Sequence, residues 1–387
     1  MKIPGLDGLV RWATLGAHRL GLLPTAARWT PEDLDCARGI LIVVSTALGD
    51  SVCSTPLLDG LRRRFPHVRL VGLYHAAFAS MYRDDPRMDE VIPYYGKYRR
   101  VAETVQALRR AHCDVAVLAY IAEPDVIPLV RLGGARILFR MIGRDTAYRR
   151  LMANPEALSR PQTAEHAVCR SLRMLEYLGG IPRTQAPTLH VDDASRARVA
   201  LWLEGRGVAR SHIRIGIHVG ASAWNKRWPV DCHAEVGRGL LAQDPAARLI
   251  LTGAAGERPL VHDLAVQIGQ PGRVIEAAGA VGVEDLPGLV ASLGLFISAD
   301  TGVAHVAYAV GTPSVTLFWR SDPAISGPIH DIDRHRVLAR QPLCPPCRPR
   351  TCVYPACAVE IPPDRVLELA LSLLDRSVVD GAGRTRS

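Results

Sequence analysis

Residues 295–318 read LFISADTGVAHVAYAVGTPSVTLF, and this stretch decides the fold. It opens with a strand-like run over 295–298, continues as a short helical segment over 301–310, and ends in a second apolar run over 314–318. Short runs without regular polar alternation are typical of parallel strands buried on both faces. The stretch therefore predicts two strands of one parallel sheet with a short helix between them.

The same alternation of strands and helices extends outward from this unit in both directions. Further strands are predicted over 40–45, 69–74, 90–93, 114–120 and 135–142, and over 214–219, 248–252 and 273–277. The helices include segments over 98–112, 165–178 and 364–374. Two prolines and no periodicity over 181–193 indicate a linker between two arrays. Two consecutive arrays of this kind predict an α/β protein with two doubly wound parallel sheets, in which ligands bind beyond the carboxyl ends of the strands.

The chain of 387 residues is long enough for two domains. We expect an N-terminal extension over 1–38, a Rossmann-like domain over 39–185, a second over 186–340, and a cysteine-containing tail with a final helix over 341–387. The extension mixes leucines with arginines, which predicts a short basic amphipathic helix. Such a helix lies either on a membrane or on the protein itself.

The formal net charge of the chain is +9, and residues 1–180 carry +7 of it. The basic residues are scattered, with no Lys/Arg run and no interleaved aromatic residues, which argues against nucleic acid as a partner. A phosphorylated acceptor, an anionic membrane surface and a solvated basic surface without a ligand remain as alternatives.

Apolar segments and isolated cysteines indicate the compartment. Charged residues interrupt the N-terminal stretch, so no signal peptide is predicted. Asp300 and the turn at 311–313 interrupt the apolar stretch 286–319, which favours buried strands over a membrane span. Five of the nine cysteines are isolated in sequence: Cys36, Cys53, Cys113, Cys169 and Cys232. This usage is typical of a reducing compartment and predicts a cytoplasmic protein.

The other four cysteines form a C-x2-C-x4-C-x4-C motif: Cys344, Cys347, Cys352 and Cys357. Such a group could bind zinc or iron. Its spacing is tighter than in common zinc modules and prolines crowd it, so local thiols or a disulfide are the main interpretation. We expect no metal there, with a metal site as the alternative.

The turn after the first predicted strand carries Asp50 at the start of a helix. It contains neither a dinucleotide fingerprint nor a phosphate-binding P-loop. Asp is a routine helix cap, so capping is one interpretation of Asp50.

The turn after the strand over 214–219 reads GASAWNKRWP at 220–229. Small residues such as Ser222 let backbone amides approach an anion, and Lys226 adds a point charge. An ordinary loop with two surface cations, Lys226 and Arg227, is the alternative.

Two further turns carry candidate ligands. After the strand over 295–298, Asp300, Thr301 and Gly302 begin a helix whose first amides could bind a diphosphate, with His305 one turn further along. Capping by Asp300 or Thr301 explains part of that pattern. After the strand over 248–252, Glu257 could accept hydrogen bonds from ribose hydroxyls, although any exposed Glu at a helix start has the same sequence context.

Four stretches of the chain together resemble glycosyltransferase family nine, whose best-known members are the heptosyltransferases of lipopolysaccharide core assembly. They are LGDSVCSTPLLDGLRRRFP at 48–66, IGIHVGASAWNKRWP at 215–229, LILTGAAGERPL at 249–260 and FISADTGVAHVAYAVGTPSVTLFWRSDP at 296–323. The order Asp-Thr-Gly, His, Gly-Thr-Pro in the last stretch is the most specific part. The resemblance covers about residues 39–375.

The resemblance implies a GT-B fold, with an acceptor-side N-terminal domain and a nucleotide-sugar-binding C-terminal domain facing across a cleft. It implies an inverting, metal-independent transfer without a cofactor, in which Asp50 is the general base. Lys226 would neutralise phosphate and Glu257 would hold the ribose. Further donor-binding residues would be Ser222, Asp300, Thr301, Gly302 and His305.

The resemblance also implies the partners. The donor would be ADP-heptose and the acceptor an anionic lipid-linked or oligosaccharide glycan, with peripheral contact at the inner face of the inner membrane. Six arginines and one acid lie between 131 and 150, and we expect Arg140, Arg144 and Arg149 on the acceptor side. The alternatives are the same fold with another nucleotide sugar, and a non-catalytic nucleotide- or carbohydrate-binding protein.

Overall fold

The computed structural model describes residues 6–22, 29–121, 125–141, 148–156, 165–341, 343, 352 and 356–384, with side chains through residue 375. Contacts divide the chain into two compact units, Met1–His190 and Val191–Ser387. Each unit contains one sheet, as the two predicted arrays require.

The first unit is built on five parallel strands in the order β3-β2-β1-β4-β5. They are β1 (Gly39–Val44), β2 (Arg69–His75), β3 (Glu90–Tyr94), β4 (Val115–Tyr120) and β5 (Ile137–Arg140). Every residue of β1 is buried, because the run GILIVV lies at the centre of the sheet with helices on both faces. The strand order reverses between β1 and β4, so the turn after β1 lies at the switch point where ligands bind in such sheets.

The helices of the first unit are α1 (Leu6–Arg19), α2 (Pro31–Asp35), α3 (Leu48–Cys53), α4 (Thr55–Arg64), α5 (Val101–Ala111), α6 (Val126–Leu132), α7 (Ala167–Leu172) and α8 (Met174–Tyr177). The helix predicted over 98–112 begins at Val101, because Tyr98 and Arg100 adopt left-handed backbone angles (φ 58° and 47°). The single helix predicted over 165–178 is wrong: it is the pair α7 and α8. The Ser171 hydroxyl donates to the Val168 carbonyl, a side-chain bond that competes with the helical ladder.

The N-terminal extension packs within the first unit. Leu34 is buried, and the indole of Trp29 donates to the Ala153 carbonyl while its ring meets Phe139 edge to face. Leu15 of α1 packs against the core. The predicted helix of the extension is confirmed as α1, and it rests on the protein through one face.

The second unit is built on six parallel strands in the order β11-β10-β9-β6-β7-β8. They are β6 (Ile213–His218), β7 (Ala247–Thr252), β8 (Val274–Glu276), β9 (Leu295–Ala299), β10 (Ser314–Phe318) and β11 (His335–Ala339). The order reverses between β6 and β9, so the turns after these two strands flank the switch point. Sequence analysis missed β11, an edge strand that opens with His335 and Arg336 and in which only His335 is buried.

The helices of the second unit are α9 (Asp193–Glu204), α10 (Val230–Gln243), α11 (Arg258–Ile268), α12 (Leu286–Ala291), α13 (Gly302–Ala309), α14 (Pro323–Ser326), α15 (Ala356–Val359) and α16 (Pro363–Arg384). The predicted final helix is confirmed as α16. Ala358, Ile361 and Val366 belong to the buried core of this unit, so α15 and the start of α16 are part of the domain. Among the helices that the structure describes, none is long and apolar enough to cross a membrane.

Candidate active site

Asp50 is the third residue of α3, directly beyond the carboxyl end of β1. The cap position of this helix is Ala47, and no side chain caps it. The capping interpretation of Asp50 is therefore wrong. The Asp50 side chain is half-buried, and within the described ranges no group donates a hydrogen bond to its carboxylate. A carboxylate in this state is free to accept a proton from a ligand.

A buried hydroxyl chain holds the turn that carries Asp50. Tyr82 donates from its hydroxyl to Ser51 Oγ at 2.8 Å, and Ser51 donates to the Leu48 carbonyl at 2.7 Å. Burial raises the pKa of Tyr82 well above its ordinary value, and its ring stacks on Tyr74 at 4.4 Å. Tyr82 thus stays a donor and fixes the first turn of α3. Nothing in the sequence around Tyr82 indicated this role, since it lies 31 residues from Ser51.

In the second unit, the turn after β6 is anchored by Asn225. This buried residue accepts from the indole of Trp319 through its carbonyl at 3.3 Å and from Arg320 through its side chain at 2.5 Å. The anchor leaves the adjacent Lys226 half-buried, and no carboxylate of the described chain forms an ion pair with its ammonium group. A cation without a protein partner is available to an anionic ligand.

One pocket brings together the turns after three adjacent strands, β6, β9 and β10. Its lining residues are Lys226, Asp300, Leu317, Trp319, Arg320 and Ser321. Lys226 and Asp300 were both predicted from sequence, and the fold unites them although they are 74 positions apart in the chain. Sequence analysis missed Arg320 and Ser321; their position just after the predicted strand over 314–318 was the available signal.

Asp300 is held by two neighbours at the start of α13. Its carboxylate accepts a hydrogen bond from the Ser321 hydroxyl and lies 3.9 Å from His305 Nε2. Thr301 occupies the cap position of α13 with extended backbone, but its side chain caps no amide and lies 3.1 Å from Ser298 Oγ instead. The capping interpretation is therefore wrong for Thr301 as well. The first amides of α13, which begins at Gly302, remain available to an anion.

Glu257 is a mostly buried carboxylate, so its interpretation as an ordinary exposed Glu is wrong. Its side chain is 14% exposed and joins the turns after β6 and β7. Oε1 accepts from the Ala221 amide at 3.1 Å and Oε2 from the Ala254 amide at 2.9 Å, while Arg227 Nη2 lies 3.4 Å from Oε1. Oε2 accepts from one donor among the described residues and keeps a second acceptor site, so a ligand hydroxyl can still bind there. Ser222, in the same turn after β6, is exposed.

Residues 138–358 match the family model described as glycosyltransferase family 9 (heptosyltransferase). The chain belongs to this family. It is 25% identical to lipopolysaccharide heptosyltransferase 3 of Escherichia coli over 285 residues, which are 71% of this chain and 81% of that protein. It is 23% identical to lipopolysaccharide heptosyltransferase 1 of Pseudomonas aeruginosa over 338 residues, 81% of this chain and 87% of that protein. The protein is thus a glycosyltransferase, as the resemblance implied.

Solved structures agree with the fold. A family 9 glycosyl transferase from Veillonella parvula superposes with a TM-score of 0.71 at 19% identity, over 88% of this chain and 98% of that chain. The E. coli ADP-heptose lps heptosyltransferase II superposes with a TM-score of 0.67 at 21% identity, over 88% and 99%. Two Rossmann-like domains and these neighbours confirm the GT-B fold of this family 9 glycosyltransferase.

The predicted acceptor-side arginines of the glycosyltransferase differ in exposure. Arg149 is exposed and Arg140 is buried at the end of β5, while Arg144 lies outside the described residues. Arg131 is also buried; its guanidinium donates to main-chain carbonyls, and burial lowers its pKa to about 10. Burial of Arg140 leaves Arg149 as the exposed member of the predicted set among the described residues, and the acceptor-side role stays a prediction.

The four-cysteine motif of the glycosyltransferase lies partly outside the described residues. Cys344 and Cys347 lie outside the described residues, whereas Cys352 and Cys357 are half-buried. In the described ranges no three His, Cys, Asp or Glu side chains cluster as metal ligands. Whether the complete motif binds metal stays a prediction.

Proposed function

We propose that this glycosyltransferase moves heptose from ADP-heptose to a lipopolysaccharide-core or related anionic glycan, with inversion and without a metal ion. One observation carries the proposal: the turns after β6, β9 and β10 converge on a pocket that contains Lys226, which has no ion-pair partner among the described residues, and Asp300. The choice of sugar is supported by the E. coli and P. aeruginosa relatives, both described as lipopolysaccharide heptosyltransferases.

The donor would bind entirely to the second unit. Lys226 and the uncapped amides of Gly302 and Val303 would hold the diphosphate, since both supply positive charge to phosphate oxygens. Asp300, positioned by Ser321 and His305, would bind sugar hydroxyls. Ser222 is exposed in the same turn as Lys226, so its hydroxyl could donate to a phosphate oxygen.

Glu257 would bind the ribose of the donor. Two backbone amides and Arg227 already fix its carboxylate, so the position of the acceptor oxygens is set before a ligand arrives. Preorganised acceptors lose little entropy on binding and are therefore effective at fixing a hydroxyl.

Asp50 would act as the general base. The acceptor oxygen forms a bond to the anomeric carbon, the bond from that carbon to the diphosphate oxygen breaks, and ADP leaves with the bonding electrons. The acceptor proton passes to the Asp50 carboxylate. A single displacement of this kind inverts the anomeric centre. Negative charge grows on the leaving diphosphate, and Lys226 together with the α13 amides would offset it in place of a metal ion.

The acceptor and the cellular location belong to the same proposal. The exposed Arg149 would attract an anionic lipid-linked or oligosaccharide acceptor. Five of the nine cysteines are isolated in sequence, a usage that is typical of a reducing compartment. We therefore assign the reaction to the cytoplasmic side of the inner membrane.

A second candidate keeps the fold and the chemistry but changes the sugar nucleotide. Trp224 is 51% exposed in the same turn as Lys226 and is bulky for a residue near a phosphate. An exposed indole there could stack on a base or a sugar other than those of ADP-heptose.

Turnover with ADP-heptose, compared with GDP-, UDP- and CDP-sugars, tests the proposal. Of these donors, we expect only ADP-heptose to give product. We also expect it to raise the melting temperature of the protein by several degrees, because ligand binding stabilises the folded state by mass action. NMR of the product should show the anomeric configuration opposite to that of the donor sugar. Excess EDTA should leave the rate of transfer unchanged. Binding of a donor without turnover on any glycan acceptor would favour the non-catalytic alternative.

A further inference from the structure

Helix α1 has an apolar face that points away from the domain. Its exposed side chains are Leu9 (61%), Trp12 (75%) and Leu20 (75%), the residue that directly follows the helix. Leu22 is 73% exposed as well. On a helix of 3.6 residues per turn, positions 9, 12 and 20 lie on one side. Exposed apolar side chains are ordinary when they are single, but four of them on one short segment mark an interaction surface.

The opposite face of α1 is attached to the first unit. Asp7 accepts from Lys97 Nζ at 2.5 Å and from the Tyr98 hydroxyl at 2.9 Å. Leu15 packs against the core of the unit, and Thr14 is buried. The helix is therefore held in one orientation, and its exposed apolar face is not a consequence of a loose segment.

A Schellman motif orders the end of α1. The amide of Gly21 donates to the His18 carbonyl and the amide of Leu22 to the Ala17 carbonyl, with Gly21 in the left-handed region at φ 69°. In this motif the residue at the Leu22 position commonly packs back on the helix. Here its side chain stays exposed, which extends the apolar surface beyond the last turn.

Charge and side-chain type identify the occupant of this surface. Arg19 is exposed and lies beside Trp12 on the helix surface, and residues 1–180 carry a net charge of +7. Arginines beside an exposed Trp and leucines are typical of helices that lie in the headgroup region of anionic bilayers.

We propose that α1 is an interfacial anchor, which lays Leu9, Trp12, Leu20 and Leu22 into the headgroup region of an anionic bilayer while Arg19 contacts lipid phosphates. The helix lies on the membrane surface and does not cross it. This surface shares no residue with the sugar-nucleotide pocket, so the inference holds whichever sugar the enzyme transfers.

Cosedimentation of the full chain with vesicles tests the anchor. We expect the full chain to bind phosphatidylcholine vesicles that contain about 30% phosphatidylglycerol. The anionic lipid gives these vesicles the negative surface potential that attracts basic helices. Binding to pure phosphatidylcholine should be at least about tenfold weaker. The double variant Trp12→Ser/Leu20→Ser should lose about tenfold or more in partitioning to anionic vesicles, because it removes two of the inserted side chains.

Two matched controls separate the anchor from general surface effects. Leu201→Ser/Val266→Ser removes two equally exposed apolar side chains (69% and 63%) from the second unit and should leave vesicle binding unchanged. Arg19→Gln should weaken binding and reduce its salt dependence, whereas Arg196→Gln in the second unit removes the same charge without that effect. The melting temperature of each variant shows that it folds.

Three results would overturn the proposal. The first is failure of the wild-type chain to bind anionic vesicles, and the second is binding of Trp12→Ser/Leu20→Ser to them as tight as that of wild type. A third is self-association of the wild-type chain in the absence of lipid that this variant abolishes, because the exposed face would then be an interface between two copies. Turnover of the Trp12→Ser/Leu20→Ser variant on a delipidated acceptor is measured in parallel. The variant should retain this activity, because turnover on such an acceptor does not depend on vesicle binding.

Discussion

Gly220 lacks a side chain at the point where the Glu257 carboxylate needs the space. A Cβ at Gly220 would lie 2.0 Å from Glu257 Oε2 and 2.6 Å from Oε1, well inside contact distance. The same carboxylate accepts from the amide of Ala221, the next residue. The glycine therefore lets the turn after β6 close onto Glu257, and this contact sets where the carboxylate can meet a ligand.

Gly220→Ala is expected to displace Glu257 and to raise the donor Kd about tenfold or more, with a smaller effect on kcat. The reason is that a charge-assisted contact contributes roughly 1.5–3 kcal/mol, and the new methyl group would shift the carboxylate that makes it. Calorimetric titration with the sugar nucleotide measures the change. Gly256→Ala is the matched control, since a Cβ there meets nothing within 4 Å. Equal affinities of the two variants would remove Glu257 from the donor site.

Asp50→Asn is expected to reduce kcat by about 10²–10⁴ while donor affinity stays nearly constant, because a general base acts only on the acceptor. Steady-state turnover and donor titration on the same preparation measure both effects. Asp84→Asn, an exposed aspartate in the same unit, is the control and should keep full activity. A kcat above about a tenth of wild type in Asp50→Asn would exclude Asp50 as the base.

Lys226→Ala is expected to weaken donor binding and to lower kcat as well, because the negative charge on the diphosphate increases as it leaves. The loss of a charge-assisted contact predicts roughly a 10- to 100-fold weaker donor Kd. Calorimetry with ADP-heptose and with ADP measures it, and Arg196→Ala serves as a charge-matched control in the same unit. Unchanged affinity for both ligands would show that Lys226 does not contact the donor.

Arg149→Gln is expected to raise the acceptor KM and to flatten its dependence on salt, with the donor KM unchanged. An exposed arginine acts on an anionic acceptor over a distance that salt screens within about 8–10 Å. Arg140→Gln should instead lower the melting temperature, because that side chain is buried. Initial rates measured from about 50 to 300 mM salt distinguish the two variants. The screening length changes roughly twofold over this range. An acceptor KM that is insensitive to Arg149→Gln and to salt would assign this arginine to ordinary surface solvation.

Acid is expected to destabilise the second unit between about pH 6.5 and pH 4. Burial lowers the pKa of His218 to about 4, of His233 to about 3 and of His335 to about 4, from an ordinary 6.5. The unfolded chain therefore binds protons below pH 6.5 that the folded chain does not. The stabilising contribution is complete above pH 6.5 and decreases as the pH falls, by up to about 1.4 kcal/mol per pH unit for each histidine.

Denaturant midpoints between about pH 7.5 and pH 4.5 measure how stability depends on histidine protonation. This window contains the pKa of histidine in the unfolded chain, roughly 6.5. His335→Asn keeps a polar partner for Ser314 Oγ, which lies 2.9 Å from His335 Nδ1, but cannot titrate. Its stability should change less with pH than that of wild type. His262→Asn is the control, because that side chain is exposed. Parallel pH profiles for wild type and His335→Asn would contradict the assignment.

The strands and the positions of the main site residues follow from sequence because their signals are local. An apolar run such as 295–298 buries both faces of a strand whatever its neighbours are, and the residue after a parallel strand lies at the ligand-binding edge of the sheet. Lys226, Asp300 and Asp50 could be selected on this basis. The edge strand β11 was not predicted, because a half-exposed strand needs no run of buried apolar residues and only His335 of β11 is buried.

Only the tertiary structure decided which of these residues meet and in what state. The strand order brings the turns after β6, β9 and β10 into one pocket and adds Arg320 and Ser321 to it. It leaves Asp50 without a hydrogen-bond donor among the described residues, and it surrounds Glu257 with backbone amides from two turns. Hydrogen bonds and burial depend on contacts between segments far apart in the chain, and the periodicity of a single segment carries no information about its neighbours in the sheet.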